Sequence, residues 1–525
     1  MRAFLLEVAG GLGKRPMRVL GLAAVAVGAA LLLGAGLASA PLLDPDEARH
    51  AEIAREMFES GQLLAPVLNG APYHHKPSFF YTLVGLAYRI GGVGEASARV
   101  VPALSAWLTL IAVYWYGSRT SMSVGLLATL LLGSCAFFIG VGRFTNFDAL
   151  VTATFSGAML SLAVWLDEPD RRARLVVAYG LLALAVLSKG PAAAVLGAIP
   201  LPVAWWLGDL RLKAFWSPVG LALFVSIVAA WAVPAALYAP DYLYDFLMIH
   251  NLQRYLVPTR GFHSEPIYFF VPVLACALLP WSPLVPASLR WALRSHASDR
   301  FLALHALGVI VFFSLSEGKL ATYVLPAFPA LALVVARWAV SGVERPVPSW
   351  AIRLAAWLFL PLPLIVWVVV RWHAPDDAWI AVAFLPVAIA AGLVQTIGSA
   401  RWTPLAGLCL VCGGMITTVV TFNVTAGAAL GRFASDRDLA ALAERVHPER
   451  PVVAVGVKPY SFLFYTRQRV VYGGDDSEWS DVLASGEAAL ILSKEQRVVK
   501  VEQAFPDLAT REIGRNARHM LLAVP

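Results

Sequence analysis

Apolar runs of about 20 residues, separated by short polar stretches, recur along most of the chain. A helix needs about 20 such residues to cross the hydrocarbon core of a bilayer, so each run predicts a membrane span. The first extends from about Val19 to Leu43 and follows Lys14, Arg15 and Arg18. Others lie near 97–117, 121–141, 149–166, 175–188, 191–207, 215–237, 267–289, 300–316, 322–340, 351–371, 378–398 and 403–425. That predicts about thirteen transmembrane helices. Ala38-Ser39-Ala40 has the form of a signal-peptide cleavage site, but the run before it is longer than the roughly 7–15 apolar residues of such a signal, so it reads as a span.

Two stretches break the pattern. In DPDEARHAEIAREMFESG, residues Ala51, Ile53, Ala54, Met57 and Phe58 fall on one side of a helix and charged residues on the other, which predicts an interfacial helix within an outer segment at 44–78. After about residue 428 the composition becomes that of a soluble module. ASDRDLAALAERVH reads as a helix, and PVVAVGV, QRVVYG, AALILS and HMLLAVP read as strands. The expected organisation is a transmembrane domain over 1–428 and a small soluble α/β domain over 429–525. No GxGxxG or P-loop occurs in it, so no nucleotide cofactor is expected.

Composition agrees: 59% of the residues are hydrophobic and 14% charged, against roughly 45–50% and about 25% in a soluble domain. A β-barrel is excluded because its strands alternate rather than run apolar throughout. The net charge of +7 is no nucleic-acid signal, because the basic residues sit between the apolar runs. Arg119, then Arg171, Arg172 and Arg174, then Arg211 and Lys213, then Arg290, Arg294 and Arg300, then Arg337 and Arg345, and finally Arg401 occupy every second loop. Positive residues mark the cytoplasmic side. The opposite loops collect Asp44, Asp46, Glu47, His74, His75, Lys76, Arg143, Asp148, His250, Arg254, His263, Glu265, Glu317 and Lys319, and ionisable residues at one face of a bundle point to a substrate site. An odd number of spans puts the α/β domain on that same outer side. Cys135, Cys276, Cys409 and Cys412 all lie in apolar runs, where they read as packing.

Three constellations could carry chemistry. Asp46-Glu47 opens the amphipathic helix, where acids also serve to cap the positive helix end. Tyr73-His74-His75-Lys76-Pro77 offers two imidazoles for a metal and an ammonium for a phosphate. Farther on, His250, Arg254 and His263 occupy one outer loop, and Ser316-Glu317-Gly318-Lys319 leads to Tyr323 in the next. Converging imidazoles would suit Zn²⁺, whereas Lys76, Arg254 and Lys319 would suit a phosphate. Spacing leaves both open.

PDEARHAEIAREM, YHHKP, SKGP, HNLQRY, GFHSEP and SEGKLATYVLP, in this order and on these sides, resemble the aminoarabinose transferase branch of the protein O-mannosyltransferase superfamily. The resemblance runs from the first span to about residue 340. It implies a GT-C glycosyltransferase fold in a bacterial inner membrane, with the active site and C-terminal domain on the periplasmic side. It implies transfer of a sugar, 4-amino-4-deoxy-L-arabinose in this branch, from a polyprenyl-phosphate donor to lipid A or a related acceptor, with inversion.

Carried over by position, Asp46 is the acid near the reacting centre, with Glu47 beside it. Asp148, in RFTNFD, is the second acid. Lys76, Lys319 and Tyr323 are donor-phosphate contacts, with Arg254 as a further cation for the leaving group. Some relatives hold a metal with a Glu before the Lys and a His in the later loop; here those positions are His75 and His263, so a divalent ion such as Zn²⁺ would meet two imidazoles. The expected partners are the lipid-linked donor, the acceptor and membrane lipids, with no nucleic acid, and the protein is expected to be a monomer. Another sugar, such as mannose, galacturonic acid or glucose, moved to lipopolysaccharide core, lipid or protein is the nearest alternative. A polyprenyl-lipid transporter is the alternative of another class, although transporters keep their ionisable residues near the midplane.

Overall fold

Within hydrocarbon no water is present to bond backbone N–H and C=O groups, so unbroken apolar sequence folds as helix. The computed structural model describes residues 14–199, 201, 205, 208, 215–253, 255, 265–341, 348–401, 404–472, 476–488 and 490–524. The chain divides into two units, one comprising Met1–Ala35, His74–Phe80 and Val101–Phe422, the other Gly36–Tyr73, Tyr81–Val100 and Asn423–Pro525.

The first unit is helical, and the chain as a whole is a multi-pass membrane protein. Among the described residues, nine helices are long and apolar enough to cross a bilayer, and two bent pairs raise the number to eleven. One pair, Met122–Ser134 and Ala136–Gly142, bends by 75° at Cys135, whose ψ of 102° leaves the helical region. The other, Phe270–Ala277 and Ser282–Ala292, bends by 118° across a stretch holding Pro280 and Pro283, which lack the N–H a continuing helix requires. Of the thirteen expected spans, the one near 175–188 lies inside the 18-residue helix Arg172–Lys189, which also carries Arg172, Arg174 and Lys189. The one near 191–207 runs into positions outside the described residues.

Asp148–Asp167 is the central helix, with 83% of its apolar window buried, whereas Pro218–Tyr238 is 11% buried and faces outward along most of its length. The central helix packs against Arg172–Lys189, Ala297–Leu315 and the 3₁₀ segment Ala321–Ala327. Elsewhere small residues let helices approach. A Cβ on Gly117 would come within 2.8 Å of the Gly125 Cα, the close backbone contact that drives packing where lipid offers no hydrophobic gain.

The second unit holds a two-stranded hairpin, β1 at Val67–Leu68 and β2 at Ala71–Pro72, and a five-stranded sheet in the order β4-β3-β5-β7-β6, with β3 at Val452–Val455, β4 at Val470–Val471, β5 at Leu490–Ser493, β6 at Arg511–Arg515 and β7 at Met520–Ala523. β3 runs parallel to both β4 and β5, and β7 runs antiparallel to β5 and β6. Val453, Val455, Ile491 and Leu522 form the sheet's part of a core completed by Trp479, Leu483 and Val501. The expected amphipathic helix is Asp46–Ser60, and it packs against the short helix Tyr460–Tyr465. Its apolar face is buried as predicted, but Glu47, His50 and Glu52 are buried too, so this helix lies inside protein rather than flat on a lipid surface. Each polar group brings a partner: His50 Nδ1 lies 3.0 Å from the Tyr81 hydroxyl, and Glu52 accepts from Arg55 at 2.8 and 2.6 Å.

Burial pushes the Glu52 carboxyl up to about 7, with Glu56 and Glu59 acting in the same direction and Arg55 opposing. The folded state therefore holds this proton more tightly than the unfolded chain does. Its stabilising contribution is complete below the ordinary value of 4.5 and is lost as pH rises through about 7. Glu52→Gln is expected to flatten the dependence of the unfolding midpoint on pH between 4.5 and about 7, measured by thermal unfolding in detergent.

Candidate active site

Within the first unit, charge and aromatic rings gather where the central helix begins. Asn146 Oδ1 accepts the Asp148 N–H at 2.9 Å and sets the first turn. The Asp148 carboxylate is ion-paired with Lys189, the last residue of Arg172–Lys189. The Lys189 ammonium also lies 4.3 Å from the Tyr323 ring centroid and 5.4 Å from that of Phe147. Lys76 Nζ is 5.2 Å from the same Phe147 ring. Aromatic faces attract cations, so one ring steadies two ammonium groups that repel each other. Of the expected residues, Asp148, Lys76 and Tyr323 are brought together here, joined through Lys189 and Phe147.

The chain leaves Lys189 through Gly190, at φ +131°, where a Cβ would meet Asn251 Oδ1 at 2.9 Å and the Phe246 ring at 3.0 Å. Both neighbours belong to the π-helix Asp245–Gln253. Its i→i+5 hydrogen bonding makes residues five apart successive neighbours along one side, whereas an α-helix at 3.6 residues per turn would point them apart. Asp245 and His250 have this spacing, and they meet consecutive residues of another segment. Asp245 Oδ2 lies 2.7 Å from His74 Nδ1, and the His250 ring stacks on His75 with centroids 3.9 Å apart and planes inclined by 26°. The Tyr242 hydroxyl donates to the Lys76 carbonyl at 2.6 Å.

Stacking bears on the metal expectation. Imidazole binds a metal in its ring plane at about 2.0–2.1 Å, and two stacked planes this nearly parallel intersect well beyond that reach, so His75 and His250 do not chelate one ion. Among the described residues no group of three or more His, Cys, Asp or Glu side chains could hold a metal. His263, the other expected ligand, and Arg254 lie outside the described residues.

Lys319 is buried, and its ammonium donates to the carbonyls of Glu265 at 2.7 Å and Ser316 at 2.5 Å. An ammonium has three N–H donors, and these two bonds fix the loop from which Tyr323 follows.

In the second unit the acidic pair splits. Asp46 opens its helix with its side chain 55% exposed and ion-paired with Arg49. Glu47 is fully buried and takes Arg99 through both oxygens, from Nε at 2.7 Å and Nη2 at 2.9 Å. Arg99 also donates to the carbonyls of Leu37 at 2.9 Å, Ala40 at 2.7 Å and Pro41 at 2.9 Å. Just upstream, Asp44 accepts from the Ser461 N–H at 2.8 Å and from Arg518 at 2.9 Å, and burial pushes its carboxyl up to about 6. The groups that sequence reasoning left out are Phe147 and Asp245, and the partnerships of Lys189 and His74, although both residues were in quoted motifs. SKGP already marked Lys189, but Asp245 sits in an apolar context that hid it.

The family model described as dolichyl-phosphate-mannose-protein mannosyltransferase matches residues 41–250. An undecaprenyl phosphate-alpha-4-amino-4-deoxy-L-arabinose arabinosyl transferase of Pectobacterium carotovorum is 33% identical over 61% of this chain, and the match spans 59% of that relative's length. An enzyme of the same name from an Enterobacter species is 30% identical over 73% of this chain and 74% of its own length. A crystal structure of ArnT from Cupriavidus metallidurans bound to undecaprenyl phosphate superposes with a TM-score of 0.81 at 23% identity, covering 96% of this chain and 97% of that one. The two chains have the same fold.

The contrast between Asp46 and Glu47 is testable. Removing one member of a buried ion pair costs about 3–5 kcal/mol, so Glu47→Ala is expected to lower the unfolding midpoint sharply. Asp46→Asn breaks only an exposed pair, worth about 0–1 kcal/mol, and is expected to melt like the unmodified protein in the same assay.

Proposed function

From its membership of the undecaprenyl phosphate-aminoarabinose arabinosyl transferase family, we propose that this chain transfers 4-amino-4-deoxy-L-arabinose from a polyprenyl-phosphate donor to lipid A or a related acceptor. The reaction belongs to the periplasmic face of a bacterial inner membrane. The observation that supports this reading best is the meeting of Lys76 and Lys189 over one Phe147 ring, beside Asp148 and Tyr323. Two ammonium groups held this way form a receptor for a phosphodiester that becomes a phosphate monoester as it leaves.

In the proposed reaction an acceptor oxygen forms a bond to the anomeric carbon while the bond from that carbon to the phosphate oxygen breaks. The electron pair goes to the polyprenyl phosphate. Lys76 and Lys189 stabilise the charge that grows on that oxygen. Asp148 holds Lys189 in position. A phosphate acceptor is already anionic and needs only orientation, whereas a hydroxyl acceptor must also give up its proton to a base. One displacement inverts the anomeric centre.

Purified protein in lipid nanodiscs, supplied with the aminoarabinose donor and lipid A, is expected to add one aminoarabinose mass to lipid A by mass spectrometry. Lys189→Met is expected to lower kcat/KM by about 10²–10³, as for the loss of one preorganised charge-stabilising donor. No transfer of this sugar by folded protein, or unchanged kinetics in Lys189→Met, refutes the assignment.

A further inference from the structure

The segment that carries Lys76 is held from outside. Residues 74–78 form turns and a bend ahead of the helix Phe79–Gly91, and Pro77 disfavours helical backbone at Lys76. A stretch without a hydrogen-bond ladder of its own must find partners elsewhere. They come from one neighbouring stretch, 231–250. Trp231 Nε1 donates to the Ser78 hydroxyl at 3.0 Å, and the Tyr242 hydroxyl donates to the Lys76 carbonyl at 2.6 Å. Between and beyond these two bonds, Asp245 meets His74 and His250 stacks on His75.

Tyr242 is the centre of this clasp. It lies fully buried in the short helix Pro240–Tyr244, with its ring centroid 5.2 Å from that of His74 and edge-on to Trp231 at 5.9 Å. A lysine ammonium rides on a flexible four-carbon stem, so its reach is set by where the backbone is anchored. At Lys76 the anchor is the carbonyl that Tyr242 holds, and from it Nζ lies 5.2 Å from the Phe147 centroid. Trp231 is also edge-on to Phe246 at 6.0 Å, and Phe246 packs beside Gly190, the residue after Lys189. One aromatic cluster therefore bears on the backbone at both cations.

We propose that Tyr242, supported by Trp231, is a positioning residue that sets where the Lys76 ammonium stands and so how tightly the protein holds a polyprenyl phosphate. The inference rests on the donor reading given above. Affinity for a polyprenyl phosphate, added to detergent-solubilised full-length protein, is measured by native mass spectrometry, which requires no turnover. Tyr242→Phe keeps the ring and removes the hydroxyl, and it is expected to weaken binding about three- to tenfold, the scale of one hydrogen bond. Added to Lys76→Met, the same substitution is expected to change affinity by less than about twofold, because the group it positions is gone. General loosening of the structure would instead cost the same in both backgrounds. Trp231→Phe, which removes the N–H bound to Ser78, is carried through the same cycle with the same expectation, and it decides the matter if thermal unfolding shows Tyr242→Phe to be misfolded. Binding that is unchanged in the folded variants, or lost equally with and without Lys76, overturns the inference and leaves the donor reading intact. No binding by the unmodified protein overturns both.

Discussion

One guanidinium organises the acidic end of the second unit. Arg99 is 4% exposed, and its five N–H donors all have acceptors: two go to Glu47 and three to the carbonyls of Leu37, Ala40 and Pro41. A buried charge is tolerated only when paired and fully hydrogen-bonded, and here the pairing also ties the 37–41 loop to the first turn of Asp46–Ser60. Lysine has three donors and no planar fork, so it could not satisfy the same set. The direction in which Asp46 emerges depends on this anchor.

The first unit handles its charges differently. Lys189 and Lys76 rest on aromatic faces, and Asp148 is the ion-pair partner of Lys189. Quadrupolar attraction is softer than a bidentate ion pair and leaves ammonium donors able to turn toward an anion. Lys319 is the contrast. Its bonds to two backbone carbonyls make it a brace for the loop before Tyr323.

Length and periodicity disclosed most of the helices, the strands β3, β4, β5 and β7, and the helix Arg437–Val446. β6 escaped because Arg511–Arg515 is a polar edge strand without apolar alternation, paired through its backbone with an irregularity between Glu512 and Gly514. The small hairpin pairing Leu68 with Ala71 was signalled by Asn69-Gly70, both at positive φ, but its strands are two residues long and too short to show alternation. In the candidate site, residue types were readable and partnerships were not. Asp46 and Glu47 look alike in sequence, yet a helix turns about 100° per residue, which turns one toward solvent and the other into Arg99. Asp148 and Lys189 lie 41 positions apart, and no local pattern links them.

The wide winding of Asp245–Gln253 contains a surplus residue relative to the tighter coil it replaces. Without that surplus the imidazole at position 250 would face elsewhere. The stacked rings and the His74 carboxylate partner thus share one register, and a single-codon deletion between Asp245 and His250 would dismantle both contacts without changing any side chain that takes part.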